Sequence, residues 1–104
     1  MITVKFFERN DRYAISASGH ANYAPFGQDI VCAGISVLME SLSNYLDEYA
    51  KDYNWHILEN RIDDNGDMNI EVLDTKGEMY YMFKMVEKGI ESISMQYPAF
   101  VKIY

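Results

Sequence analysis

Alternating hydrophobic positions at the start of the chain predict two β-strands. The inward positions of the first run are Ile2, Val4 and Phe6, and those of the second are Tyr13, Ile15 and Ala17. Apolar residues at every second position are typical of a strand. Asn10 and Asp11, which lie between the two runs, are turn-forming residues. We therefore predict an antiparallel hairpin that ends at Gly19.

Two later segments carry hydrophobic residues at steps of three and four, which is typical of amphipathic helices. Asp29 is a suitable N-cap for the first helix, which we expect to run to about Lys51, and Gly77 precedes the second. The apolar stripes are Val31, Ile35, Leu38, Leu42, Tyr45 and Tyr49 in the first helix, and Met79, Phe83, Val86, Ile90 and Ile93 in the second.

A second hairpin and a closing strand complete the pattern. Alternating residues follow Trp55 and Met68, and the turn Asp64-Asn65-Gly66 lies between these runs. Pro98 ends the second helix, and the apolar positions after it favour a short last strand. The predicted order is ββαββαβ, an α+β fold in which two helices pack on a mixed, mostly antiparallel sheet.

Length, composition and charge narrow the class of protein. The 104 residues, 49% hydrophobic and 24% charged, predict a single globular domain over 1–104. The net charge of -7 argues against binding to nucleic acid phosphates and favours basic partners. No apolar run is long enough to cross a membrane, and the charged residues soon after Met1 are unlike a signal peptide, so we expect a cytoplasmic protein.

The sequence predicts no metal or cofactor. One cysteine cannot form an internal disulfide or a thiolate zinc cage, and the glycines do not match a nucleotide-binding spacing. Asp63, Asn65 and Asp67 have the alternate spacing of a calcium loop, but Met68 replaces the required glycine and no glutamate follows at the twelfth position. We interpret this segment as a hairpin turn.

Cys32 is the candidate for chemistry, because it falls in the first turn of the first helix, where unpaired amide donors favour an anion. At about 100° per residue, Asp29, Cys32 and Ser36 project within roughly 60° of one another and away from the apolar stripe. His20 lies twelve positions earlier, where a strand ends and a glycine-bracketed loop begins. A histidine within reach of a thiol can act as its general base, but spacing alone leaves a functional and an inert cysteine equally open.

The segment from 19 to 38 resembles the signature of the bacterial ribosomal-processing cysteine protease family, Prp. The matching positions are Gly-His-Ala at 19–21, Tyr-Ala at 23–24, glycine at 27, Asp-Ile-Val-Cys-Ala at 29–33 and Ser36, all at the family's spacing. The resemblance covers about a fifth of the chain, and that fifth holds the candidate chemistry.

This resemblance implies an endopeptidase that removes an N-terminal extension from a basic large-subunit ribosomal protein precursor, after an aromatic residue. By the resemblance, Cys32 is the nucleophile and His20 its base, while Asp29 caps the helix, orients His20, or does both, and Ser36 supports the thiol. The predicted substrate-binding residues are Gly19, Tyr23, Phe26, Gly27 and Gly34, of which Gly34 departs from the family's pattern, where alanine is frequent. Tyr23 and Phe26 would wall an apolar pocket, and Gly34 would let a substrate backbone come close. Homodimers occur in the family.

Two other classes of function remain open on the residues alone. One is a non-catalytic binding module for a basic ribosomal or phage protein, in which Cys32 plays no chemical part. The other is a thiol-based redox sensor, which would need a cysteine from another chain because this one has no resolving cysteine.

Overall fold

The computed structural model describes residues 1–25, 28–49, 51, 55–63 and 65–104. Within these residues the predicted order ββαββαβ and the α+β class are confirmed. The elements are β1 (Ile2–Arg9), β2 (Arg12–Ser18), α1 (Ile30–Tyr49), β3 (Trp55–Ile62), β4 (Met68–Asp74), α2 (Tyr80–Gln96) and β5 (Val101–Ile103).

The five strands form one sheet in the order β3-β4-β2-β1-β5. Three of the four neighbouring pairs are antiparallel, and the register of β1 and β2 centres on the pair Phe6 and Ile15. The exception is β5, which lies parallel to β1 with Val101 opposite Ile2. This arrangement follows from the chain order, because α2 carries the chain across the sheet before the last strand begins.

The hydrophobic core lies between one face of the sheet and the two helices. Most inward strand positions are buried as the alternation predicts, with Phe6 and Ile57 only partly buried, and both helices contact strands and each other. The fully buried side chains of this layer include Ile2, Val4, Ile15, Ile70 and Val72 from the sheet and Ile35, Met39, Leu46, Phe83 and Ile90 from the helices. Among the described residues, neither helix is long and apolar enough to cross a membrane.

The buried stripe of α1 is rotated from the one that the sequence predicts. Leu38 and Tyr45 are only partly buried, whereas Met39 and Leu46 are fully buried. The reason is that α2 packs beside α1: a Cβ atom on Gly89 of α2 would lie 2.8 Å from the methyl groups of Leu38. Leu38 therefore lies at the edge of the core, where the two helices meet, and Met39 lies at the centre of the core.

Candidate active site

Asp29 organises the start of α1. One carboxylate oxygen accepts a hydrogen bond from the backbone N–H of Cys32 at 2.9 Å, and the other accepts one from the N–H of Tyr23 at 3.0 Å. The first bond is that of a helix cap, since it satisfies a donor with no partner inside the helix. The second ties the loop after β2 to the same carboxylate, so Asp29 holds loop and helix together.

These hydrogen bonds change the acidity of Asp29. Burial by itself would raise the pKa of its carboxyl group, but several backbone N–H groups donate to the ionised form and the net effect lowers the pKa. The donors are those of Cys32, Tyr23, Ala24 and Val31. The carboxylate therefore stays charged at neutral pH.

The Cys32 amide is therefore already engaged by an anion. The free amide donors of this turn were expected to stabilise a thiolate, but in the structure the Asp29 carboxylate accepts from the Cys32 N–H. Of the roles that the sequence left open for Asp29, the hydrogen bonds within the described residues are those of a cap, and none joins Asp29 to His20.

A cleft of about 470 Å³ lies at the junction of the loop and α1. It brings together the four side chains predicted to act in or support catalysis, and three others. The lining residues are His20, Asp29, Cys32 and Ser36, with Asn22, Ala24 and Ala33. Sequence reasoning missed Asn22, whose one local signal is that asparagine tolerates a positive φ, here 57°.

The thiol and the imidazole face the same cleft from different elements. Cys32 is half-buried in the first turn of α1, and His20 is exposed just beyond the end of β2. No hydrogen bond joins the sulfur to the imidazole in the part of the chain that the structure describes. Catalytic hydrogen bonds are often long or absent before substrate binds, so the missing bond does not argue against a thiol–imidazole pair.

Tyr23 contacts the end of the chain rather than the cleft. Its ring packs edge-on against Tyr97 at 5.3 Å and against Phe100 at 5.2 Å between ring centres. The cleft lining does not include it. The described apolar lining of the cleft consists of Ala24 and Ala33, and the role of Tyr23 as a wall of the substrate pocket stays a prediction.

Gly34 lies where α1 approaches α2 closely. A Cβ atom at this position would lie 2.9 Å from the terminal methyl of Ile93 on α2. The missing side chain thus makes room for α2, and Gly34 does not line the cleft. This close approach of the two helices joins residues far apart in the chain, so a sequence read one helix at a time does not reveal it.

Gly19 lies at a tight backbone crossing next to the cleft. Its φ is +91°, and a Cβ atom there would lie 2.6 Å from the carbonyl oxygen of Met1. Only glycine fits such a position without displacing backbone. Phe26 and Gly27, the other predicted loop residues, lie outside the described residues.

Comparisons with known proteins identify one family over nearly the whole chain. The family model described as cysteine protease Prp matches residues 1–102. The Staphylococcus aureus ribosomal processing protease Prp with a covalently linked product peptide is 24% identical, with a TM-score of 0.80, over 99% of this chain and 97% of that one. The same protease with a substrate peptide is 20% identical, with a TM-score of 0.70, over 100% and 98%.

A further solved structure has the same fold. A Streptococcus mutans protein is 28% identical, with a TM-score of 0.72, over 99% of this chain and 91% of that one. A comparison with curated proteins finds no match. The family match therefore rests on the family model, and the solved structures confirm the architecture.

Proposed function

Because the chain belongs to the cysteine protease Prp family, we propose that Cys32 is its nucleophile and His20 its general base. The observation that carries the assignment is that both side chains line one cleft, although they come from different elements. Cys32 is also the chain's one cysteine. Membership of a protease family favours this function over a binding module or a redox sensor.

The proposed reaction begins when His20 takes the thiol proton and the sulfur attacks the carbonyl carbon of the scissile peptide bond. The C–N bond then breaks, His20 returns the proton to the leaving amine, and the acyl group stays on sulfur as a thioester. Water, deprotonated by His20, attacks the thioester, and the proton returns to the sulfur as the carboxylic acid leaves. Each proton that His20 accepts is thus given back within one turnover.

The oxyanion formed on attack needs hydrogen-bond donors. The backbone N–H of Cys32 donates to Asp29, so we assign this task to side chains instead. The uncharged side-chain donors in the cleft lining are the Asn22 amide and the Ser36 hydroxyl. Asp29 supports the site indirectly by fixing the first turn of α1.

The proposed substrate is the precursor of a basic large-subunit ribosomal protein with an N-terminal extension, cut in the cytoplasm after an aromatic residue. The S. aureus neighbours are ribosomal processing proteases bound to peptides. The net charge of -7 would attract a basic chain and repel ribosomal RNA. A homodimer is part of the same proposal, and sedimentation or light scattering of the purified protein tests it.

Incubation of the purified protein with such a precursor, followed by mass spectrometry, tests the function. We expect cleavage by the wild type and a loss of at least about a thousandfold for Cys32→Ala and for His20→Ala. His56→Ala is the matched control, because His56 is the chain's other histidine and is exposed on β3. Cleavage that survives Cys32→Ala would refute the proposal, and binding without cleavage by the wild type would establish a binding module.

A further inference from the structure

The imidazole of His20 is exposed, so its orientation depends on contacts with neighbouring groups. No hydrogen bond to its ring is present within the described residues, and the residue lies beyond the last residue of β2. A side chain in this situation rotates among its rotamers. A general base acts only when it is kept within reach of the thiol, so the contacts of the ring decide how well the site is ordered.

The turn between β3 and β4 supplies such a contact. A Cβ atom on Gly66 would lie 3.2 Å from Cε1 and 3.5 Å from Nδ1 of His20, and 2.8 Å from the carbonyl oxygen of Gly19. The turn thus lies against the Nδ1–Cε1 edge of the imidazole, whose other surroundings include the cleft shared with Cys32. No side chain at position 66 fits without moving the ring or the backbone that carries it.

The turn itself is held by hydrogen bonds. The Gly66 N–H donates to the Asp63 carbonyl at 3.1 Å, the Asp63 N–H to the Asp67 carbonyl at 2.8 Å, and the Asp67 N–H to the Asn65 side-chain oxygen at 3.0 Å. On its other side, Gly19 lies close to the Met1 carbonyl. The backbone that carries His20 therefore lies between Met1 on one side and the hydrogen-bonded turn at Gly66 on the other.

We infer that Gly66 is a positioning residue for His20: the β3–β4 turn braces the imidazole beside the cleft. This inference rests on the proposed function, because it assigns Gly66 a task only if His20 acts as the base. It gives Gly66, which is distant from His20 in the chain, a part in ordering the active site, although Gly66 supplies no group that reacts.

Gly66→Ala, compared with Gly77→Ala, tests the inference. Both glycines have positive φ, +94° and +70°, so alanine strains the backbone at each. A Cβ on Gly77 meets nothing within 4 Å, whereas one on Gly66 meets His20. We expect Gly66→Ala to lower kcat by about tenfold or more with KM within about twofold, and Gly77→Ala to leave both within about twofold. Equal kcat values for the two variants would overturn the inference.

The rate of Cys32 alkylation by iodoacetamide, measured against pH, provides a second readout that needs no peptide cleavage. We expect Gly66→Ala to shift this profile toward that of His20→Ala, and to have no further effect in a His20→Ala background. An effect of the same size in both backgrounds would mean that Gly66 does not act through His20. If the wild type cleaves no peptide, the proposed function fails. The alkylation rates of the two single variants and the double variant still test whether Gly66 acts on His20.

Asn65→Ala tests whether the turn positions His20 if Gly66→Ala does not fold. It removes the side-chain oxygen that accepts from the Asp67 N–H, so it loosens the turn without adding an atom near His20. We expect the alkylation profile to shift in the same direction by a smaller amount. An unchanged profile would overturn the inference.

Discussion

An aspartate accepts a backbone hydrogen bond near the start of each helix, but one carboxylate is buried in the core and the other lines the cleft. Asp74 is fully buried, and one of its oxygens accepts a hydrogen bond from the N–H of Met79 at 2.6 Å before α2 begins. Its other oxygen has no hydrogen-bond partner within the described residues. Asp29 instead faces an open cleft and accepts from two segments of backbone at the start of α1.

The difference shows that a carboxylate near a helix start can stabilise the fold in one place and also shape the cleft in another. In both places a carboxylate satisfies amide donors near a helix start. Around Asp74 the neighbours are core residues, so the bond stabilises the fold. Around Asp29 the neighbours are Cys32 and the loop that follows His20, so the same bond also sets the geometry of the cleft. The predictions below separate these purposes.

Replacing Asp74 should have the largest effect on stability. Asp74→Ala leaves the buried Met79 amide without its acceptor, and we expect the free energy of unfolding to fall by about 2 kcal/mol. Urea denaturation measures the loss, and peptide cleavage per folded molecule should stay unchanged. Asp74→Asn keeps an acceptor and should lose less. A fall in kcat without a loss of stability would contradict the comparison.

Replacing Asp29 should affect both properties. Asp29→Ala removes the cap of α1 and the tie to Tyr23, so we expect about 1 kcal/mol of stability to be lost. Because the first turn carries Cys32, kcat should also fall by roughly tenfold. Parallel cleavage and denaturation assays check both numbers. If activity is unchanged at full folding, the cap has no part in the chemistry.

Acid should remove the contribution of Asp29 selectively. Burial alone would raise the pKa of Asp29, but backbone hydrogen bonds lower it below the ordinary value of an aspartate. The stabilisation is therefore complete above that ordinary value and is lost as pH falls through the lowered pKa. The difference in unfolding free energy between wild type and Asp29→Asn should therefore be larger at about pH 5 than at about pH 2. A constant difference would show that the charge does not matter.

The smallest effect is expected at Gly34, on the side of α1 that faces α2. In Gly34→Ala the added methyl meets only the end of the flexible Ile93 side chain. The helix gains about 0.5 to 1 kcal/mol from replacing glycine, which offsets the repacking, so stability should change little. Cleavage kinetics should match the wild type. A rise in KM would instead support the predicted substrate contact at Gly34.

The site could be predicted in part because its signals are local. His20, Asp29, Cys32 and Ser36 lie within one segment, and all four line the cleft. The contacts of Tyr23 and Gly34 with Phe100 and Ile93 could not be predicted, because these neighbours come from the far end of the chain. Asn22 was missed because a single asparagine in a loop has no periodic pattern.

The amino-acid sequence by itself determined the order of strands and helices, the one-sided burial of the sheet and the start of α1. Each of these depends on the spacing of side chains along the chain, which is local information. Only the tertiary structure decided which glycines leave room for a neighbour and that the turn at Gly66 reaches His20. Those contacts join residues far apart in the chain, and their distances depend on how the whole sheet and its two helices pack.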